Sequence, residues 1–300
     1  MITYYKNTAK KAAYTESKKF SSNCWISVSD PKEEELQRLE KTFNLDRANL
    51  DSGLDPYELP RIEKEDSSIY LIIKYIQDGN LETLLIILGK NFILTLSKKK
   101  TSFLEKILDG KIKTSAKKKF NFLIHILSSN NQELEKTTLS VVKLVNSKKI
   151  KQAELSDKDL KTLLDHESLL NSLVSSYYHT HHVYQRLQKS VKFKEEDKEE
   201  LSDLDIETKQ GFDLCKSSLK SISNLRDHYV ILLSNKLNKV ITILTLFTIL
   251  VSVPAAISGL YGMNVNLPFQ DSPYTFYYVA GIIFAIWMLF LYYFRKGKFL

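Results

Sequence analysis

Charge vanishes from two stretches near the C-terminal end of the chain. Residues 240–260, VITILTLFTILVSVPAAISGL, and residues 274–294, YTFYYVAGIIFAIWMLFLYYF, are each 21 residues without a single charge. At ~1.5 Å per residue each makes about 30 Å of helix, the thickness of a bilayer core. The second is rimmed by Tyr274, Tyr277, Tyr278, Tyr292 and Tyr293. Tyrosines prefer the headgroup level, so this pattern predicts an ordinary lipid-facing span. The first differs. Asn238, Ile241, Thr245, Thr248, Ser252, Ala255 and Gly259 follow one another in steps of three and four, which places them on one helix face. That face is small and mildly polar, against Leu, Ile, Val and Phe elsewhere. Small residues favour close helix packing in membranes. The same face would also serve as a wetted pore wall, and spacing alone leaves both readings open.

Residues 195–239 contain no proline and only Gly211 among glycines. Leu201, Leu204, Thr208, Gly211, Cys215, Leu219, Ile222, Leu225, Tyr229 and Leu232 form a heptad-like seam, interrupted at Thr208 and Gly211. It leads into the first span, so one helix is predicted from about 195 to about 262, roughly 100 Å long. A helix of that length needs partners, and copies of the same chain are expected to supply them. Residues 156–192 predict another helix, with Ser156 and Asp159 as its N-cap pair. The two helices form a hairpin.

The first part of the chain is mixed. CWISVSD (24–30), SIYLIIKYI (68–76), LETLLIILG (81–89) and NFILTLS (91–97) are β-branched runs bounded by turn residues such as Asp78-Gly79-Asn80. PKEEELQRLEKTF (31–43) predicts a helix with Asp30 as N-cap and Pro31 at its first position. Residues 101–150 read as helical with lysine-rich connections. The fold class is thus an α+β cytosolic domain followed by a long stalk helix and two C-terminal transmembrane helices. The expected boundaries are residues 1–155 for the α/β domain and 156–239 for hairpin and stalk. Residues 240–300 form the membrane module: first span 240–260, outer loop 261–273, second span 274–294 and basic tail 295–300.

Charge adds topology to this picture. The net charge is +8. Lys236 and Lys239 flank the first span, Arg295, Lys296 and Lys298 follow the second, and the loop between has no Lys or Arg. By the positive-inside rule both termini are cytoplasmic, in a multi-pass protein of the cell membrane. The opening MITYYKNTAKKAAYTESKKF has no apolar core of a signal peptide. Cys24 and Cys215 stand far apart, which fits a reducing compartment and excludes a disulfide framework. No RNA- or DNA-binding motif accompanies the lysines, so nucleic acid is not an expected partner.

The candidate chemistry is sparse. His179-Thr180-His181-His182 suggests metal, but on a helix His181 points about 100° from His182, and no Cys lies near. Surface or interhelical histidines are the expectation. Glu195, Glu196, Asp197, Glu199 and Glu200 open a helix, where negative charge is favoured. Lys98-Lys99-Lys100 and Lys117-Lys118-Lys119 read as solvated loops. GxGxxG, P-loop, GxSxG and HExxH patterns are all missing, and nothing argues for an enzyme.

One combination does carry a resemblance. Tyr261-Gly262-Met263-Asn264 closes the first of the two C-terminal spans. Ser234-Asn235-Lys236-Leu237-Asn238-Lys239-Val240-Ile241-Thr242-Ile243-Leu244-Thr245 enters that span, and Val253-Pro254-Ala255 sits within it. Leu54-Asp55-Pro56-Tyr57-Glu58-Leu59-Pro60-Arg61-Ile62-Glu63 lies in the first domain, and Tyr293-Phe294-Arg295-Lys296 in the tail. Together these resemble the CorA family of divalent-cation channels, from about residue 24 to residue 300. The resemblance implies a homopentameric funnel in the lipid bilayer, with the stalk helix continuing as the pore-lining span. It implies a pore mouth at Tyr261, Gly262, Met263 and Asn264, and a lining of Asn238, Ile241, Leu244, Thr245, Thr248, Ser252 and Ala255. Transported and regulatory Mg2+ are implied, with Co2+ or Ni2+ as further cargo. Regulatory acids by position are Asp227, then Asp78 and Asp203. The family often has Met where Ile241 stands, and a pore Thr at or near Ala255. Its outer loop usually carries Pro-Glu, whereas this chain has Pro268-Phe269-Gln270-Asp271, so Asp271 is the candidate for the outer negative ring. Two other functions share this architecture: a zinc transporter, against which the intact Gly-Met-Asn argues, and a membrane-tethered oligomeric scaffold, against which the polar face argues.

Overall fold

The structure is a computed structural model that describes residues 1–7, 14–17, 19–108, 118–150, 156–269 and 271–296. Lys117, Gln270 and the tail residues 297–300 lie outside the described residues. The chain divides into two compact units, Met1–Leu225 and Arg226–Leu300.

The first unit is built on a seven-stranded sheet. Its strands are β1 (Ile2–Asn7), β2 (Tyr14–Ser17), β3 (Cys24–Ser29), β4 (Arg61–Glu65), β5 (Ser68–Gln77), β6 (Asn80–Leu88) and β7 (Phe92–Ser97), in the order β2-β1-β3-β7-β6-β5-β4. Only β3 and β7 pair in parallel; the remaining neighbours are antiparallel. Asp78 (φ 53°) and Gly79 (φ 79°) turn the chain between β5 and β6 with Gln77 opposite Asn80. Two successive positive φ angles make the type I′ turn that suits the twist of a hairpin, which is why an Asp-Gly pair stands there.

Helices cover both faces of the sheet, so its central strands are continuous apolar runs rather than alternating ones. On one face, Ile26, Val28, Ile72, Leu85 and Leu94 pack with Leu36 and Leu39 of α1 (Glu33–Phe43) and Leu50 of α2 (Arg47–Ser52). On the other, Trp25, Leu71, Ile73, Tyr75 and Ile86 meet Phe103 of α3 (Ser102–Leu108) and Phe122 of α4 (Lys119–Ile150). Val183 and Tyr184 of α5 (Asp157–Ser190) and Leu201 of α6 (Glu195–Tyr261) complete that core. The expected architecture of mixed domain, long helix and C-terminal helix is the one observed, with α7 (Thr275–Lys296) closing the chain.

Four expectations are corrected. Helix α1 begins at Glu33 with Lys32 as N-cap, not at Asp30 and Pro31. Asp30 takes φ 46° and gives its N–H to the Ser97 carbonyl, so it ends β3 instead of starting the helix. The carboxylate of Glu35 accepts from the Lys32 N–H at 3.0 Å and fixes the true start. Strands β1, β2 and β4 and helix α2 were not legible in the apolar pattern, being short or half polar. Lys119 is no solvated loop residue: it opens α4, and its ammonium donates to the Gly89 and Lys90 carbonyls at 2.7 Å each. Burial lowers its pKa.

The fourth correction concerns the seam. Leu201, Leu204, Thr208, Gly211, Cys215, Ile222 and Leu225 are buried inside the first unit, not against a copy. Leu134, Val141 and Val145 of α4 and Leu163, Leu170, Leu173 and Tyr177 of α5 share the cluster with Cys215, Ile222 and Leu225. The two interruptions have local causes. A Cβ at Gly211 would lie 2.5 Å from Cζ of Tyr177, whose hydroxyl is fixed at 3.0 Å from Thr138 Oγ1. Thr208 donates to the Leu204 carbonyl at 2.7 Å and lies 3.3 Å from Asn131 Oδ1 on α4. The seam therefore encodes a three-helix contact within one chain. Ser156 caps α5 through Asp159, whose carboxyl is held down to about 2 by Lys148 and by the Ser156 hydroxyl and N–H.

Gly211→Ala should therefore destabilise the first unit by about 1–3 kcal/mol, the usual cost of overpacking. Thermal unfolding of the detergent-solubilised chain, followed by the emission of buried Trp25, checks this; an unchanged midpoint would contradict the Tyr177 contact.

Candidate functional site

The second unit contains the C-terminal part of α6 and all of α7. Helix α6 has a stretch long and apolar enough to cross a membrane, none of it buried in the chain. Val240, Ile241, Leu244, Phe247 and Val251 are all exposed. An apolar surface of this extent calls for lipid or other protein. Pro254 lies within the helix. Its neighbourhood is where a ring that cannot donate an N–H costs one backbone hydrogen bond.

The faces of α6 are used unequally. Thr242, Leu246, Ile249, Leu250, Val253 and Ile257 are half-buried, and so are Thr275, Val279, Ile283, Trp287 and Phe290 of α7. Each set follows one face of its helix. Asn238, Ile241, Leu244, Thr245, Thr248, Ser252, Ala255 and Gly259 are instead exposed. The small polar stripe is thus exposed along its length. At Gly259 an added Cβ would meet nothing within 4 Å.

The hydroxyls of the stripe are already committed on one side. Thr245 donates to the Ile241 carbonyl at 2.8 Å, Thr248 to Leu244 at 2.9 Å, and Ser252 to Thr248 at 2.6 Å. Thr242, on the half-buried side, does the same to Asn238 at 2.8 Å. A hydroxyl has one proton to give and two lone pairs. With the proton spent on the helix, each stripe hydroxyl presents only acceptor character outward. Such a surface tolerates lipid or a close helix, and it also suits water whose hydrogens point away from a cation. The amides at the two ends, Asn238 and Asn264, are more decisive. Both are exposed, and neither side chain has a hydrogen-bond partner among the described residues. They stand just beyond the two ends of the span, where water reaches them.

Around Asn264 the helix runs out. Tyr261 is the last residue of α6, the Gly262 N–H still reaches the Ser258 carbonyl at 2.9 Å, and that of Met263 reaches Leu260 at 3.2 Å. A Cβ at Gly262 would approach the Ser258 oxygen to 3.3 Å, so the turn is tight there. Farther along, Phe269 takes φ 66° and its carbonyl accepts from the Ser272 N–H at 3.1 Å and from the Thr275 hydroxyl. Thr275 lies 2.9 Å from the Ser272 carbonyl as well and so anchors the entry into α7. The exposed Asp271 sits within this folded turn and makes no ion pair among the described residues.

The three regulatory candidates are all exposed carboxylates. Asp78 occupies the β5–β6 turn and lines a cleft of about 700 Å³ with Asp30, Glu105, Lys98 and Lys100. Asp203 lies on α6 in the same unit; Asp227 lies on α6 in the second unit. Among the described residues no three His, Cys, Asp or Glu side chains come together within the chain to hold a metal. The histidines resolve separately. His181 Nδ1 lies 2.6 Å from Asp205 Oδ1, an interhelical contact between α5 and α6, while His179 and His182 flank Tyr178 edge-on.

Sequence reasoning missed the groups that hold the segment 54–63. Lys74, inside β5, donates to the Pro56 carbonyl at 2.6 Å and to Thr83 Oγ1 at 2.8 Å, and Thr83 donates to the Asp55 carbonyl at 2.6 Å. Burial lowers the Lys74 pKa. Arg61 bonds Glu58 at 3.0 Å, Ser52 at 3.2 Å, and Glu63. This motif therefore braces the sheet edge. The one available signal was a lysine alone in an apolar strand.

Comparison with known proteins gives a consistent picture. Residues 20–296 match the model of a family described as CorA-like Mg2+ transporter protein. A cobalt/magnesium transport protein CorA of Methanocaldococcus jannaschii is 30% identical over 297 residues, covering 91% of this chain and 90% of the relative. The complete structure of the CorA magnesium transporter from the same organism superposes with a TM-score of 0.85 at 24% identity, over 100% of this chain and 99% of that one. The full-length CmaX protein superposes with a TM-score of 0.75 at 15% identity, over 99% of this chain and 97% of that one.

Cysteine scanning along α6 separates the faces. Native Cys24 and Cys215 are buried, and burial pushes the Cys215 thiol up to about 11, so background labelling is low. Thr248→Cys and Ser252→Cys should react with a hydrophilic thiol reagent, and Phe247→Cys and Ile249→Cys should not. Equal reactivity around the helix would remove the wetted stripe.

Proposed function

The chain belongs to the CorA-like Mg2+ transporter family, and on that premise we propose that it forms a homopentameric channel admitting Mg2+ through a pore lined by α6. It is a membrane transporter of divalent cations. The observation that carries the finer reading is the exposed polar stripe of α6, ended by Asn264, whose amide has no hydrogen-bond partner among the described residues.

Mg2+ is small and surrenders water reluctantly. A pore that accepts the ion with its water shell avoids that cost. In the proposed ring, copies of Asn264 offer neutral carbonyl oxygens at the outer mouth. Gly262 adds a backbone carbonyl unobstructed by a side chain, and Tyr261 and Met263 frame it. Neutral oxygens hold a dication weakly enough to release it, whereas a ring of carboxylates would trap it. Thr245, Thr248 and Ser252 then meet the water shell with lone pairs. Ala255 leaves width. Ile241 and Leu244 form an apolar constriction that closes by dewetting, with Asn238 one turn beyond. Asp271 supplies negative charge outside. The driving force is the membrane potential, about 2.3 kcal/mol per charge per 100 mV and twice that for a dication. Co2+ and Ni2+ have the same charge and suit the same hydrated path.

Closure follows from repulsion between carboxylates. Asp227, with Asp78 or Asp203, lies between neighbouring copies in this reading, and internal Mg2+ neutralises the facing acids and stabilises the closed ring. No single chain holds such a cluster among the described residues, so a shared site needs a second copy.

Asn264→Ala should abolish Mg2+ uptake in a transport-deficient host while the protein still reaches the membrane; full rescue by this variant would remove Asn264 from selectivity. Asp227→Ala should raise the cytosolic Mg2+ needed for closure by about tenfold, equivalent to ~1.4 kcal/mol of lost binding. Unchanged inhibition in patch recordings would take Asp227 out of the sensor.

A further inference from the structure

A second feature of the first unit is independent of the ion path. The edge strand β4 packs against α5 through Ile62 and Val183. Beside this contact lies a groove of about 540 Å³. One helix stripe of α5 forms its wall: His179, His182, Arg186 and Lys189, spaced by three, four and three. Arg61 lines the opposite side. Among the described residues no carboxylate lines the groove.

The cations of this groove are not neutralised alike. Arg61 is committed to Glu58, Glu63 and the Ser52 hydroxyl, so it shapes the wall. Arg186 and Lys189 are exposed and make no ion pair among the described residues. Between residues 168 and 190 the helix contains no acid at all. A helix C-terminus favours cations, but that effect fades within the last turn and does not reach His179 or His182. The stripe from 179 to 189 runs about 15 Å along the axis, more than one phosphate would use. At its upper end Tyr178 is half exposed, with the rings of His179 and His182 near-perpendicular to it at 5.2 and 4.8 Å and that of Phe212 tilted on it at 6.2 Å.

We infer that this groove binds a polyphosphate-bearing small anion. The guanidinium of Arg186 grips phosphate oxygens in pairs, and Lys189 adds a compact charge. The imidazoles of His179 and His182 donate N–H groups along the same line. The half-exposed ring of Tyr178 offers aromatic contact to a planar base when the anion is a nucleotide.

Titration calorimetry on the detergent-solubilised full-length chain, with ATP, tripolyphosphate and inorganic phosphate as separate probes in chelator, tests the site. Saturable binding of ATP and tripolyphosphate, weaker binding of inorganic phosphate, and at least a tenfold loss in the Arg186→Gln/Lys189→Gln double variant are expected. Both residues are exposed, so helicity and Mg2+ flux without nucleotide should be unchanged. Tighter binding of ATP than of tripolyphosphate, lost in Tyr178→Ala, assigns the ligand to nucleotides; equal binding assigns it to the polyphosphate chain. Three results would overturn the inference. They are no saturable binding of either polyphosphate, binding that the double variant retains, or a change of oligomeric state in the double variant, which would mark the groove as a contact between copies.

Discussion

A helix of 67 residues must be supported along its whole length, and α6 is supported in two different ways. In the first unit its inner face is dry and filled by α4 and α5, down to the single glycine that admits the ring of Tyr177. In the second unit the small polar stripe from Asn238 to Gly259 is exposed. That imbalance is the constraint from which the functional reading grows. Apolar flanks are satisfied by lipid, whereas the amides of Asn238 and Asn264 stand just beyond the two ends of the span. Water, or the same stripe on other copies, is what satisfies them.

The back-bonded hydroxyls refine the chemistry of the proposed path. A wall of free hydroxyls would both donate and accept, and would compete with the ion for the orientation of its water. On α6 the donors are turned into the helix, which leaves a surface of lone pairs. Water around a cation points its hydrogens outward, toward such a surface. The proposed path can thus be polar without carrying charge, since no charged residue stands between Lys239 and Asp271.

The sequence made some parts of this legible and hid others for identifiable reasons. Long elements with a sustained period were readable: α5 with its Ser156–Asp159 cap, α6 from Glu195, and the β5–β6 hairpin from its Asp-Gly turn. Short strands with polar faces were not, because Thr3, Lys6 and Glu63 interrupt any alternation in β1 and β4. The seam from Leu201 to Leu225 was visible as a seam, but periodicity reports that a face is buried and not by whom. The stripe from Asn238 to Gly259 was visible too. Its two readings share one periodicity, which does not separate a packing face from a wetted wall. Interactions at a distance, such as Lys74 with Pro56 and Lys119 with Gly89, leave no local signal beyond a cation out of place.

The central claim is that α6 lines a path for a divalent cation that cytosolic Mg2+ closes. Purified protein in liposomes, with Mg2+ set independently on the two sides and entry followed by an internal indicator, tests it most directly. Mg2+ entry should be driven by an inside-negative potential and should fall as Mg2+ on the cytoplasmic side rises. No divalent flux under any gradient would contradict the pore, and flux indifferent to internal Mg2+ would contradict the closing mechanism.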